Sequence, residues 1–131
     1  MHLLNFAFSR DHIGVDYGER YLDLHNDFDF ARQSKVSDEL ELEWVRSRIS
    51  RVRASPSTFR ITVAGVSYFE VRGKLSETLD EFGVFDNDTL GKVDYQGTTR
   101  AQDGYDLLVL RFVGGGELVV QGKTASASSD E

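Results

Sequence analysis

The sequence predicts a mainly β, single-domain fold: an antiparallel β-sandwich or strongly curved sheet of seven to eight strands, with one short helix near residues 76–82. Three observations predict it. Tyr105–Val113 is the longest dense apolar run, and turn-forming glycines lie on both sides of it. Several other segments alternate apolar and polar residues, at intervals typical of antiparallel sheets. A chain of 131 residues also buries about two thirds of its unfolded surface, which is enough for a core.

The run Tyr105–Val113 has apolar residues at both parities, which predicts a central strand covered on both faces. Arg111 is the single charge inside the apolar part of the run. A guanidinium in such a strand must reach solvent or meet an acid. We expect Arg111 to meet Glu117 across a hairpin whose loop is formed by the glycines 114–116, with Glu117–Gln121 as the second strand.

In the first third of the chain, Tyr21–Phe30 alternates between apolar residues and a set of acids with His25. The pattern predicts a half-buried strand with an acidic outer face. Residues 33–37 are polar and are expected to connect it to an antiparallel strand at Glu39–Trp44, whose three glutamates point outward. A helix running to about Arg53 is the alternative for residues 38–53, because four apolar residues there have helical spacing. The strict alternation of Glu39–Trp44 favours the strand, followed by a loop over 46–57.

In the middle of the chain, Phe59–Val63 and Val66–Arg72 alternate on either side of Gly65, which predicts a hairpin. Ser76 as an N-cap, apolar residues at helical spacing and Gly83 at the end predict the short helix. Another strand is expected at Leu90–Thr99. We expect residues 1–122 to form the single antiparallel domain. Residues 123–131, which are small and polar, are expected to form a flexible tail.

The composition restricts the function classes. The chain has no cysteine, which excludes disulfides, thiol nucleophiles and thiolate metal sites and leaves the cytoplasm as the expected location. The N-terminus has no basic region or cleavage site of a signal peptide, and no apolar run could span a bilayer, so we expect a soluble protein without membrane contact. The net charge of −7 argues against general nucleic-acid binding.

The positive charge is concentrated in one segment. Residues 44–72 carry six basic residues and one acid, a balance of +5 between two acidic blocks. Four arginines interleaved with serines make the partner-binding candidate, for a phosphate or an acidic partner: Arg46, Arg48, Arg51 and Arg53. The competing interpretation is that they neutralise the acidic strands beside them.

The candidate metal ligands are Asp23, His25 and Asp27 on the acidic face. Alternate residues of a strand lie about 7 Å apart, so ligands from a neighbouring strand would have to complete the site. The segment Asp86–Gly91 begins like a calcium loop but lacks the later ligands. The glycines 114–116 precede a predicted strand and not a helix, so they do not predict a phosphate loop. No pattern predicts a cofactor.

Three hypotheses for the function follow. The first is a non-catalytic protein-interaction module, such as a stoichiometric inhibitor or a toxin-neutralising (immunity-type) protein, in which an acidic β domain suits a basic partner. The second is a small metal-dependent enzyme or ligand-binding protein that uses Asp23, His25 and Asp27. The third is a structural subunit that forms a homodimer through an exposed edge strand.

Overall fold

The computed structural model describes residues 1–50, 56–86 and 106–130, and within these ranges all regular structure is β-strand. The strands are β1 (His2–Leu3), β2 (Phe6–Phe8), β3 (Gly14–Tyr17), β4 (Arg20–Asp23), β5 (Phe28–Val36), β6 (Glu39–Arg46), β7 (Thr58–Ala64), β8 (Tyr68–Arg72), β9 (Leu79–Asp86), β10 (Asp106–Phe112), β11 (Glu117–Gln121) and β12 (Thr124–Asp130). The mainly β prediction is confirmed, although the described residues already contain more strands than the seven to eight expected.

The strands form three sheets. Their orders are β1-β12-β7-β6-β5, β8-β11-β10-β9 and β2-β3-β4. Neighbouring strands are antiparallel, except that β1 and β12 run parallel. A hairpin connects β10 with β11, as the sequence predicts. Another connects β5 with β6, whose antiparallel pairing is as predicted, although its connection lies at residues 37–38.

One core joins the three sheets. Phe30 of β5 contacts Phe112 of β10 with ring centroids 4.9 Å apart, and Phe8 of β2 contacts Phe82 of β9 at 4.7 Å. Trp44 on the inner face of β6 is completely buried. Each such side chain contributes roughly 1.5–3 kcal/mol when it leaves water, and tilted or edge-to-face ring pairs add to this. The three sheets therefore pack as one unit.

The central strand of the four-stranded sheet is the one predicted. β10 lies between β9 and β11, and both parities are buried, with Leu107 and Val109 on one face and Leu108 and Leu110 on the other. In the described part of residues 38–53, the chain forms the strand β6 and not the alternative helix. Its residues alternate between the core and three outward glutamates, which confirms the preferred interpretation.

The helix predicted near residues 76–82 is wrong. Leu79–Asp86 is strand β9, and its pairing with β10 shifts register: Leu79 pairs with Phe112, whereas Glu81 pairs with Arg111. The extra residue is Asp80. Because of this bulge, Leu79 and Phe82 are both fully buried although they are three residues apart. A bulged strand therefore reproduces the helical spacing on which the prediction relied.

The continuous strand predicted over Tyr21–Phe30 is also wrong. β4 ends at Asp23, residues 24–27 form a turn, and β5 begins at Phe28 and continues to Val36, through the segment expected to be a connection. The turn contains four residues, so buried residues before and after it keep the same parity. Sequence alternation therefore could not reveal the break.

Two further predictions need correction: the flexible tail at residues 123–131 and the hairpin around Gly65. β12 pairs with β7 along seven residues, and its residues Ala125 and Ala127 are buried. β7 and β8 belong to different sheets, because the chain crosses over after Gly65. The predicted strand Leu90–Thr99 and most of the calcium-like segment lie outside the described residues.

Candidate functional site

Asp23, the first candidate metal ligand, closes the turn between β4 and β5. Its Oδ1 accepts hydrogen bonds from the backbone amides of His25 at 3.0 Å and Asn26 at 2.8 Å. Its Oδ2 accepts a third from the side-chain amide of Asn26 at 2.8 Å. An aspartate that receives amides two and three residues ahead stabilises a turn. The carboxylate of Asp23 therefore has a structural role in this turn.

The other two candidate ligands face different parts of the fold. The Nδ1 atom of His25 contacts the carbonyl oxygen of Leu79 in β9. The Oδ1 atom of Asp27 accepts a hydrogen bond from Ser50 Oγ at 3.1 Å. Across the part of the chain that the structure describes, no group of three or more histidine or acidic side chains is placed to hold a metal ion. The metal-site prediction relied on a continuous strand over residues 21–30, which the turn at residues 24–27 interrupts. It stays a prediction, and the observed geometry gives it no support.

The candidate arginines occupy the end of β6 and the turn after it, residues 46–50, which we name the arginine turn. Arg46 is half-buried and Arg48 is exposed. Arg51 and Arg53 lie outside the described residues. Between these arginines stands Ile49, whose side chain is 85% exposed, the highest value among the exposed large apolar residues of the described chain.

Hydrogen bonds hold the arginine turn against the turn that contains Asp27. Ser47 donates its amide to the carbonyl oxygen of Asp27 at 2.9 Å, and Ser50 donates its hydroxyl to the Asp27 carboxylate at 3.1 Å. Within the turn, the Ser50 amide reaches the Ser47 carbonyl at 3.1 Å. The two ends of the turn are thus fixed while Ile49 projects into solvent. Sequence reasoning missed Ile49, because it assigned residues 46–57 to a loop and considered only the arginines there as binding candidates.

The outer half of β5 is a second unusual surface. β5 is the last strand of its sheet, and its residues 31–36 are all exposed, so that half of the strand has little cover on either face. Arg32 forms ion pairs with Glu41 at 3.3 Å and Glu43 at 3.4 Å on β6. A cleft of about 550 Å³ separates residues 30–33 of β5 from the segment 74–77. We name this the edge cleft.

A polar cluster shapes the loop between β2 and β3. Tyr21 donates its hydroxyl to Asp11 Oδ2 at 2.5 Å, and the Ile13 amide donates to Asp11 Oδ1 at 3.1 Å. Partial burial raises the pKa of Asp11, but hydrogen bonds from Ser9, Tyr21 and backbone amides outweigh it and hold the pKa below its usual value. The Ser9 hydroxyl bonds to Asp11 and to the carbonyl of Gly14, so it is engaged in the loop and does not form a serine–histidine pair.

The chain matches no known family model, no curated protein and no solved structure. Within the described residues, no helix has the length and apolar character needed to cross a membrane. An assignment of function therefore depends on the chain's own surfaces, of which the arginine turn and the edge cleft are the most distinctive.

Proposed function

We propose that this protein is a non-catalytic interaction module that binds another protein through the arginine turn, with Ile49 as the apolar anchor. The observation that supports it is the 85% exposure of Ile49 on a turn whose two ends are fixed by hydrogen bonds. A stoichiometric inhibitor or a toxin-neutralising protein is the concrete form of this function.

A fixed turn favours binding for an entropic reason. Single exposed apolar residues are common on protein surfaces and need no explanation by themselves. Ile49 differs because Ser47 and Ser50 hold its turn against Asp27, so less backbone freedom is lost when a partner covers it. Burial of an isoleucine side chain stabilises a complex by up to roughly 1.5–3 kcal/mol.

The charge around Ile49 indicates the chemistry of the partner surface. Arg48 is exposed next to it, and the segment 44–72 carries six bases against one acid. Arginine is enriched at the centres of protein interfaces, where it forms paired hydrogen bonds with carboxylates. We therefore expect an acidic surface around an apolar pocket on the partner. This differs from the basic partner that the net charge alone suggests.

The competing enzyme hypothesis receives less support from the same region. Asp23 already accepts the hydrogen bonds that close its turn, and Asp27 accepts one that holds the arginine turn against it. A metal or substrate would have to compete with these bonds for the same oxygens. The interaction hypothesis needs no such rearrangement.

The test compares two exposed apolar residues. Ile49→Ser removes the proposed anchor, and Leu4→Ser is the matched control, because Leu4 is 64% exposed in a different sheet region. Each protein is used to capture partners from a lysate of the source organism, and a captured protein is purified and titrated by calorimetry. We expect Ile49→Ser to weaken binding by at least tenfold and Leu4→Ser to leave it unchanged. Equal affinity of the two variants for the purified partner would contradict the proposal, as would the absence of any partner at low salt.

A further inference from the structure

Among the residues that the structure describes, no strand pairs with the outer edge of β5, and the direction in which that edge points can be derived. The amide of Arg46 donates to Ser57 on the β7 side at 2.9 Å. Because main-chain groups alternate along a strand, those of Leu42 on β6 also face β7. In an antiparallel pair of strands, the main-chain groups of two opposite residues either both point towards the other strand or both point away from it. Gln33, the partner of Leu42, therefore turns its amide and carbonyl away from β6.

The same alternation applies to Lys35, which pairs with Leu40. The free edge thus presents the donor and acceptor of Gln33 and of Lys35, which is the pattern that an added strand requires. At the start of β5 this side is already used, since Phe30 donates its amide to the carbonyl of Glu77 at 2.7 Å. Beyond that bond the segment 74–77 and β5 separate and form the edge cleft.

The edge cleft combines an apolar floor with positive charge. Phe30 is 7% exposed, and Leu75 packs against the core. Arg32 and Lys74 line the cleft together with one acid, Glu77, and Lys35 continues the positive charge along the strand. Arg32 is already paired with Glu41 and Glu43 of β6. The cations left for an occupant are Lys35 and Lys74, which outnumber the one carboxylate, Glu77, on a chain whose net charge is −7. The local charge favours a negatively charged occupant.

A second copy of this chain would fit the edge poorly. Lys35 lies on the edge strand, and lysine at such a position is a common barrier to the pairing of two like strands. β6, the strand that already pairs with β5 on its other edge, carries negative charge instead. Glu41 and Glu43 of β6 both lie within 3.4 Å of the Arg32 guanidinium.

We propose that the free edge of β5 binds an extended acidic segment of a partner protein by strand addition, with apolar residues of that segment in the edge cleft. Gln33 and Lys35 supply the main-chain hydrogen bonds, while the ammonium groups of Lys35 and Lys74 contact the acidic side chains. The proposal rests on the proposed interaction function and adds the chemistry of the contacted segment.

The probe is a fluorescent peptide that copies residues 38–45 of this chain, because β5 pairs with that acidic sequence on its other edge. A second peptide has its acids replaced by lysine. Anisotropy titrations use the full chain and the variant Gln33→Pro, which removes an amide that faces the free edge and not the ladder with β6. Gln33→Ala is the matched control. We expect saturable binding of the acidic peptide only, weakened at least tenfold by Gln33→Pro and less than twofold by Gln33→Ala.

Lys35→Glu provides a second variant that keeps the backbone intact, should the proline lower the melting temperature. It is expected to weaken the acidic peptide and to improve binding of the lysine peptide. Equal binding of both peptides to the unmodified chain would overturn the proposal. Sedimentation showing a dimer that Gln33→Pro dissociates would also overturn it and assign the edge to a second copy.

The outcomes separate this inference from the proposed function. If the acidic peptide does not bind, while Ile49→Ser weakens binding of the purified partner, only the strand addition is refuted. Peptide binding that depends on Gln33, with partner binding indifferent to Ile49→Ser, would refute only the role of the arginine turn.

Discussion

Arg111 donates its Nε–H to Glu117 Oε2 at 3.0 Å, directly across the ladder between β10 and β11. The other oxygen of Glu117 accepts from Arg72 of β8, also at 3.0 Å. The Glu117 side chain is only 12% exposed, so it links three strands at a site partly shielded from water. Removal of its charge leaves two arginines close together without their shared partner.

We therefore expect Glu117→Gln to lower the free energy of unfolding by about 1 kcal/mol, in line with partly exposed ion pairs. Urea denaturation followed by circular dichroism measures this. Glu19→Gln, in an exposed turn, is the control and should stay within about 0.5 kcal/mol of the unmodified protein. A loss in Glu117→Gln no larger than in the control would mean that the pair contributes nothing to stability.

The Asp11 cluster predicts a dependence of stability on acid. Its hydrogen bonds hold the pKa of Asp11 in the folded state below the usual 3.8. A carboxyl whose pKa is lower in the folded state contributes stability above the unfolded pKa, and this contribution is lost as the pH falls from about 4 through the folded pKa. We expect Asp11→Asn to reduce the loss of stability between pH 5 and pH 2 in urea titrations. Asp16→Asn, at an exposed position of β3, is the control. An unchanged pH profile for Asp11→Asn would contradict the linkage.

The turn between β4 and β5 gives a prediction about Asp23. Asp23→Ala removes the acceptor for two backbone amides and should destabilise the fold by about 1 kcal/mol, as loss of a comparable cap does. Asp23→Asn keeps an oxygen that can accept the same amides and should cost less than about 0.5 kcal/mol. Thermal and urea unfolding measure both. Equal losses in the two variants would show that charge, and not turn closure, is the contribution of Asp23.

Metal ions provide a direct check of the acidic segment. Because Asp23 bonds within the turn at residues 24–27 and Asp27 bonds to Ser50, we expect Mg²⁺, Mn²⁺, Zn²⁺ and Ca²⁺ to leave the melting temperature unchanged. A bound ion stabilises the folded state in proportion to the logarithm of its concentration. A melting temperature that rises with one ion and no longer rises in His25→Ala would instead support the metal hypothesis.

The last strand should be essential for stability. β12 lies between β1 and β7, so removal of residues 124–131 uncovers the edge of β7 and leaves β1 without its neighbour. We expect a loss above about 4 kcal/mol, beyond the range of ordinary point mutations, seen as the absence of a cooperative melting transition. Removal of residue 131 alone is the control. A shortened chain that melts like the full one would mean that the β12 ladder contributes little.

Residue patterns predicted the parts of the fold in which one period dominates. The alternation of Glu39–Trp44 gave β6 its correct faces, and apolar residues at both parities of Tyr105–Val113 gave β10 its central place. The Arg111–Glu117 pair followed from the same reasoning, because a charge within a covered strand requires a partner. These features depend on local sequence and burial alone.

The errors arose where irregular geometry changes the period. A single extra residue at Asp80 gave a strand the spacing of a helix, and a four-residue turn after Asp23 left the alternation unbroken. The strand β12 has only alanine on its buried face, so its apolar signal is weak and its ladder depends on a distant strand. The exposure of Ile49 depends on hydrogen bonds to Asp27, 20 or more residues earlier in the chain, which no local pattern contains.

The contact between the two ends of the chain has a consequence for the order of folding. The side chain of Asn5 exchanges two hydrogen bonds with the backbone of Ala127, at 2.7 and 2.8 Å, across 122 positions of sequence. Closing so long a loop is entropically costly, and folds dominated by such distant pairings form slowly. During synthesis the five-stranded sheet stays incomplete until residues 124–130 have left the ribosome. Until then the edge of β7 is open, and a chaperone that shields this strand would protect the nascent chain from aggregation.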